Sequence, residues 1–327
     1  MEKEERLPCC FILRSPFPVP RSSFSLLASL CLCVSVVQIT GCGGSGGEPE
    51  LIWGRRGVQG GDLVKPRAIA IDAKDRLYIV DWTARIQVFE RDGRYLGHTW
   101  TTPDYRNGRP SGLSIDRDGN LLVSDSHYHC LRIYSPEGKL LRTLGGGGGT
   151  APGQLAYVSD AVQDQEGYYY VAEFGETQRI TKLDAEGRFI KCWGEPGTEP
   201  GQFARIRALA LGPDGNLYAA DACNHRIQVF TRDGKLIHLW GKTGKGDGEL
   251  SYPYDLAFAP DKQHLYVCEY GNSRVQKFTL KGEPAGCWGG PGRGRGRLSS
   301  PWALAVDSQG RVHVLDSEND RVQRIAF

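Results

Sequence analysis

Short apolar stretches of about four residues recur along the chain, each closed by turn-forming residues, and no segment carries the i, i+3, i+4 apolar spacing of an ordinary amphipathic helix. The pattern is plainest between residues 208 and 239. There Ala208 to Leu211, a Pro213-Asp214-Gly215-Asn216 turn, Leu217 to Ala220, Ile227 to Phe230, an Asp233-Gly234 turn and Leu236 to Leu239 follow one another. This reads as four short strands, here lettered a to d in chain order. Asp-Gly suits the c–d turn because glycine accepts positive φ and aspartate bonds back to the local backbone. The same step recurs at Asp92-Gly93, Glu137-Gly138, Glu186-Gly187 and Lys281-Gly282.

Aligned on strand a, the groups begin at Pro66, Pro110, Val158, Ile206, Pro253 and Pro301, at intervals of 44, 48, 48, 47 and 48 residues. That period fits a four-stranded propeller blade and not a helical solenoid. Strand a alternates small residues (Ala68 and Ala70, Gly112 and Ser114, Ala208 and Ala210, Ala303 and Ala305) with larger ones, as innermost strands near a common axis require. Phe89, Tyr134, Phe230 and Phe278 then fill the widening wedge outside them. The sixth group stops at Phe327, after strand c, while Glu50-Leu51-Ile52-Trp53-Gly54 matches Leu236 to Gly241. Residues 50–327 are therefore predicted to form an all-β, six-bladed β-propeller closed by an N-terminal outer strand, with Ile52 beside the chain near Val322. Such closure hides a free sheet edge.

Ahead of this domain, Lys3, Arg6, Arg14 and Arg21 precede an uncharged run from Phe24 to Ile39 that ends in Ile39-Thr40-Gly41-Cys42. Basic region, apolar region and small residues in that order read as an export signal. The last four residues resemble the bacterial lipobox. The resemblance implies a signal peptide over residues 1–41, lipidation of Cys42 and a flexible tether over 42–49. It places the domain in the bacterial cell envelope, on a membrane lipid anchor, at the outer membrane facing the periplasm. An uncleaved anchor over Ser22 to Thr40 is the alternative.

Forty Lys and Arg against 38 Asp and Glu give a net charge of +2, which removes the electrostatic argument for nucleic acid as a partner. Five of the ten cysteines, Cys130, Cys192, Cys223, Cys268 and Cys287, lie in the domain. An odd number without paired CxxC spacing indicates neither a disulfide framework nor a structural zinc site.

Asp221 followed by Asn224-His225-Arg226-Ile227-Gln228-Val229-Phe230, with echoes at Asn272 to Phe278 and Asn319 to Ile325, resembles the NHL repeat. The resemblance implies a six-bladed propeller but several functions, since NHL propellers serve as RNA readers, protein-binding platforms, sensor domains and an amidating lyase. Fold alone leaves the function open. Strand b ends in an acid in every repeat (Asp81, Asp125, Glu173, Asp221, Glu269, Asp316), and an arginine follows at Arg85, Arg179, Arg226, Arg274 and Arg321. Such recurrence reads as scaffold, with a carboxylate holding loop amides and an arginine fork. The second repeat has Cys130 where the arginine belongs, and its acid is expected to be freer to meet a partner.

Candidate recognition residues stand just before strand a, at the mouth of the axis: Arg67, Ser111, Ser159, Arg207, Tyr254 and Trp302. Cations and aromatic faces there suit an acidic, aromatic or sugar-like group. Asp160 and Asp255 replace the small residue of strand a and must meet a donor, water, Arg67 or Arg207, or a cation such as calcium. His127 and His129, with Asp125 or Cys130, are the candidate ligands for zinc. The amidating lyase that the repeats resemble holds zinc through histidines from different blades, and no histidine occupies the corresponding positions before strand a here. No other catalytic signature is present. The expectation is a non-catalytic binding or scaffold module for a protein or small extracellular ligand at the axial mouth. A metal-dependent lyase or hydrolase and a structural envelope protein are the alternatives.

Overall fold

The computed structural model describes residues 47–327, in which the apolar stretches become six antiparallel sheets of four strands each. Blade 1 contains Ala68–Ile71, Leu77–Val80, Arg85–Phe89 and Tyr95–Thr101 as strands a to d. Blade 2 contains Gly112–Ile115, Leu121–Asp125, Cys130–Tyr134 and Leu140–Gly145, and blade 3 Tyr157–Gln163, Tyr169–Phe174, Arg179–Leu183 and Phe189–Trp193. Blade 4 is Ile206–Leu211, Leu217–Asp221, Arg226–Phe230 and Leu236–Trp240, and blade 5 is Pro253–Phe258, His264–Glu269, Arg274–Thr279 and Pro284–Gly289. Blade 6 takes Leu304–Val306, Val312–Asp316 and Arg321–Ile325 from the C-terminal end of the chain and Leu51–Trp53 from the N-terminal end. The expected six-bladed propeller with N-terminal closure is the fold observed. The expected signal peptide, Cys42 and most of the tether lie outside the described residues.

Closure is an antiparallel ladder in which Leu51 faces Arg324, Ile52 faces Gln323 and Trp53 faces Val322. The side chain that makes it matter is Trp53. In each c–d turn a glycine sits on the strand-d side chain of the preceding blade, so that a Cβ at Gly138, Gly187, Gly234 or Gly282 would collide with Trp100, Leu144, Trp193 or Trp240. Gly93 meets Trp53 in the same way. The turn glycines thus have two reasons to be glycine, positive φ and a strand-d side chain beneath, which is an indole everywhere but at Gly187, and Trp53 carries the series across the junction of the chain ends.

Between blades, the strand-a alanines Ala68, Ala70, Ala208, Ala303 and Ala305 and the wedge aromatics are buried as expected, with Phe89, Tyr134, Phe230 and Phe278 at most 2% exposed. The strand-b acids are fully buried, and in every blade but the second they accept from a backbone amide of the loop that enters their own blade. Asp221 accepts from the Ala204 amide (2.8 Å), Asn224 (2.8 Å), Arg226 Nε (2.8 Å) and Gln228 Nε2 (3.1 Å). Arg226 continues to the carbonyls of Thr198, Glu199 and Gln202, so one carboxylate fixes an entire interblade loop. Blade 2 departs from the expectation of a freer acid. Arg132, two residues beyond Cys130, reaches Asp125 with Nε–Oδ2 of 2.9 Å. Residues two apart on a strand share a face, so the arginine has moved one step along strand c without losing its acid.

Candidate functional site at the axial mouth

The residue before strand a is aimed at the axis by backbone geometry. In blades 3, 4 and 5 the a–b register slips by one residue, leaving Ser159, Arg207 and Tyr254 as bulges between paired neighbours. A bulge turns its side chain away from the ladder, which is how a strand that otherwise packs its blade delivers a large group to the mouth. It also starts strand a of blade 4 at Ile206, two residues before the expected Ala208.

Four of the six residues at this register come together. The Arg67 guanidinium lies 4.5 Å from the centre of the Trp302 ring, and that of Arg207 lies 5.2 Å from Trp302 and 4.7 Å from Tyr254. Tyr254 stacks on Tyr270 at 4.5 Å and meets Trp302 edge-on at 5.8 Å. Trp82, 44% exposed, also lies against Arg67, at 5.0 Å, and receives Arg109 at 5.0 Å. Ser111 and Ser159 do not join them. Ser111 Oγ bonds Ser126 Oγ and blade 3 carbonyls, and Ser159 Oγ donates to Ala172 O, so both hydroxyls serve the scaffold.

Among the described residues neither the Arg67 nor the Arg207 guanidinium has an ion-pair partner or a hydrogen-bond acceptor, although Arg207 is only 6% exposed. Burial, and after it the charges of Arg207, Arg109 and Arg205, push Arg67 down to about 9. Burial lowers Arg207 as well. Aromatic faces are the present neighbours of two cations whose proximity is unfavourable.

Immediately below lie Asp160 and Asp255. Each finds its donor in backbone amides: Asp160 Oδ2 accepts from Leu209 N at 2.9 Å, while Asp255 accepts from Leu304 N at 2.9 Å and Leu256 N at 2.8 Å. The acids therefore bridge to strand a of the next blade, and neither forms an ion pair with Arg67 or Arg207. They divide the axis into a narrow space of about 20 Å³ under the arginines and a chamber of about 350 Å³ toward the opposite face, walled by Ile71, Ile115, Leu211, Phe258 and Val306.

Burial raises Asp160 to about 8 and Asp255 to about 7. Both hold a proton in the folded protein where an unfolded aspartate has lost it. Their contribution to stability is therefore full at low pH and falls as the pH rises from about 4 to 8. Asp160→Asn keeps an oxygen for the Leu209 amide and removes the ionisation. Urea unfolding is expected to show the variant ~2 kcal/mol more stable than the parent at pH 8.5 and level with it near pH 4. A difference of the same size at both pH values would contradict this account.

The histidines serve packing. His127 and His129 both place their rings against Tyr157, at 5.9 and 4.8 Å, and Asp125 is held by Arg132. Among the described residues no group of three His, Cys, Asp or Glu side chains converges, so the structure does not bring His127, His129 and Asp125 together as a ligand set. His225 accepts the Tyr252 amide at Nδ1 (3.1 Å), tying blade 4 to the loop entering blade 5.

Sequence reasoning missed Trp82 and Tyr270. Their signal was available: each follows the strand-b acid directly, at a register shared with Ser126, Phe174, Ala222 and Ser317 that opens on the same face. Arg109 had a signal as well, since it stands directly before Pro110 at the register of Lys65, Tyr157, Arg205, Tyr252 and Ser300.

The NHL repeat family model matches residues 107–134, 203–230, 250–278 and 298–325, which lie in blades 2, 4, 5 and 6 and the loops leading into them. The domain is an NHL-repeat six-bladed β-propeller. This NHL propeller is similar to peptidyl-glycine alpha-amidating monooxygenase of Mus musculus, 29% identical over 192 residues, 56% of this chain and 18% of that protein. It is also similar to NHL repeat-containing protein 3 of Homo sapiens, 28% identical over 214 residues, 60% of each chain. It thus spans less than two thirds of these curated relatives. Among solved structures, a catalytically inactive virginiamycin B lyase from Staphylococcus aureus with quinupristin superposes with a TM-score of 0.58 at 17% identity, over 80% of this chain and 81% of that one. The WD40 propeller domain of Doa1 gives 0.55 at 16%, over 80% and 78%. At these identities the NHL propeller shares a fold with a lyase and with a WD40 domain, and the fold selects neither role.

Proposed function

We propose that this NHL propeller is an exported, lipid-anchored, non-catalytic module that binds a protein or small extracellular ligand at its axial mouth. The observation that carries the reading is the pair of guanidiniums, Arg67 and Arg207, packed on Trp302 and Tyr254 with no acceptor of their own among the described residues. A scaffold arginine in this protein looks different: Arg226 spends its donors on Asp221 and three loop carbonyls. Polar groups left unspent beside aromatic faces at a concave mouth are the ordinary composition of a recognition site.

The basic and apolar N-terminal segment ending at Cys42 supports export and anchoring. Mass spectrometry of the mature protein is expected to find Cys42 as a lipidated N-terminus; an intact residue 1 would overturn that part. A metal-dependent lyase or hydrolase would need a ligand set that the described residues do not assemble. For the binding reading, protein purified from its native envelope is expected to carry a ligand detectable by mass spectrometry. Trp302→Ala should lose it. Retention of the same ligand by Trp302→Ala would move the site away from the mouth.

A further inference from the structure

The chemistry of the mouth goes further than its location, and the following step rests on the binding reading just given. We infer that Arg67 and Arg207 close on one oxyanion, a carboxylate or a phosphate ester, whose planar or apolar flank lies on the shelf formed by Tyr254, Tyr270 and Trp302. Three features select this class.

First, the two guanidiniums share one indole, at 4.5 and 5.2 Å from the centre of the Trp302 ring, and Arg207 acts electrostatically on Arg67, so a single small anion at the mouth lies in the field of donors from blades 1 and 4 together. Planar forks of N–H donors match the geometry of carboxylate and phosphate oxygens. Second, their charge is uncompensated. Asp160 and Asp255 lie close enough to act on Arg207 electrostatically, yet both spend their oxygens on the amides of blades 4 and 6. Arg109 and Arg205 add positive charge at the same rim. Third, the space beneath the arginines is about 20 Å³, enough for about one water, and is floored by the two acids. A head group therefore stops at the arginines. The remainder of the ligand must lie outward, where the stacked Tyr254 and Tyr270 pair and the edge-on Trp302 offer an aromatic surface.

An uncompensated buried cation held for a ligand makes the empty protein less stable than it need be. Replacing Arg207 by methionine, similar in length and without charge, is thus expected to raise the melting temperature of the ligand-free protein while removing anion binding. A purely structural Arg207 would give the opposite sign. This separates loss of binding from loss of folding.

The experiment titrates the full-length protein with 2-naphthoate, 2-naphthyl phosphate and the uncharged 2-naphthamide, read by quenching of tryptophan fluorescence and by calorimetry. At least one of the two anions is expected to bind 10-fold or more tightly than the amide, and the tighter anion identifies the head group. Arg67→Ala and Arg207→Met should each weaken that anion by roughly 10- to 100-fold, as charge-assisted hydrogen bonds require, and leave the amide nearly unchanged. Equal binding of all three probes, abolished by Trp302→Ala, would overturn the oxyanion inference and leave the mouth as a binding site. Anion binding indifferent to Arg67→Ala, Arg207→Met and Trp302→Ala would overturn both. Absence of binding by either anion at millimolar concentration, or a lower melting temperature for Arg207→Met, would also count against the inference.

Discussion

Deletion of residues 48–56 is expected to destabilise the propeller by ~5 kcal/mol or more and to make it associate. The estimate begins with Trp53, half-buried against Phe89 at 4.9 Å and seated under Gly93. Loss of that indole costs about 2–3 kcal/mol by area transfer, and the half-buried Leu51 and Ile52 cost about 1 kcal/mol each. Val322 and Ile325, at most 1% exposed in the closed ring, then lose their cover. The strand Arg321–Ile325 becomes a free edge. Three further ties go with the deletion: Glu50 to Arg324, Glu48 to Arg295 and Arg55 to Asp62. The Glu48 pair is exposed on both sides and weighs little, and in the Arg55 pair the guanidinium is exposed while Asp62 is buried. Guanidinium chloride unfolding measures the loss, and light scattering measures the association. Trp53→Ala alone should give about half the effect, and a synthetic peptide of residues 48–56 added in trans should restore part of it. An unchanged unfolding midpoint for the deletion would mean that the ring does not depend on its closing strand.

What the chain disclosed in advance depended on whether a feature repeats. The blade count, the exchange of strands between chain ends and the burial of Phe89, Tyr134, Phe230 and Phe278 all follow from a pattern displayed five or six times over. Even the closure register was read to within one residue, since Trp53 and not Ile52 faces Val322. The bulges at Ser159, Arg207 and Tyr254 were not legible, because they are set by which backbone amides pair and not by residue type. The partners of Asp160 and Asp255 were hidden for another reason. Sequence shows that a carboxylate near the axis needs a donor, but the Leu209 and Leu304 amides are donors that every residue possesses, and only the ring arrangement brings them within reach. At the mouth, the positions of Arg67, Arg207, Tyr254 and Trp302 were readable from the register, whereas the absence of acceptors around the two arginines belongs to the three-dimensional structure.

Replacing Arg132 by alanine is expected to destabilise the protein by roughly 3–5 kcal/mol, the cost of removing one partner from a buried ion pair. Asp125 is fully buried, and among the described residues its Oδ1 has no hydrogen-bond partner, so Arg132 is the main compensation for this carboxylate. The acids of other blades are better provided: Asp316 accepts from the Ser299 amide, Asn319, Arg321 and Gln323. Burial already raises Asp125, and the alanine variant should carry it neutral over a wider pH range. The arrangement in other blades suggests its own repair. Cys130 pairs with Asp125 across strands b and c as Arg226 pairs with Asp221, and Arg132 occupies the place of Gln228. Arg132→Gln should therefore be destabilising alone, while Cys130→Arg with Arg132→Gln, which rebuilds the pattern of blade 4, should recover at least half of the loss. Chemical denaturation of the parent, Cys130→Arg, Arg132→Gln and the double variant closes a double-mutant cycle, and the coupling term reports whether one arginine substitutes for the other. A double variant no more stable than Arg132→Gln would show that the acid of blade 2 requires its arginine at residue 132, and that one step along strand c is more than the interblade loop can absorb.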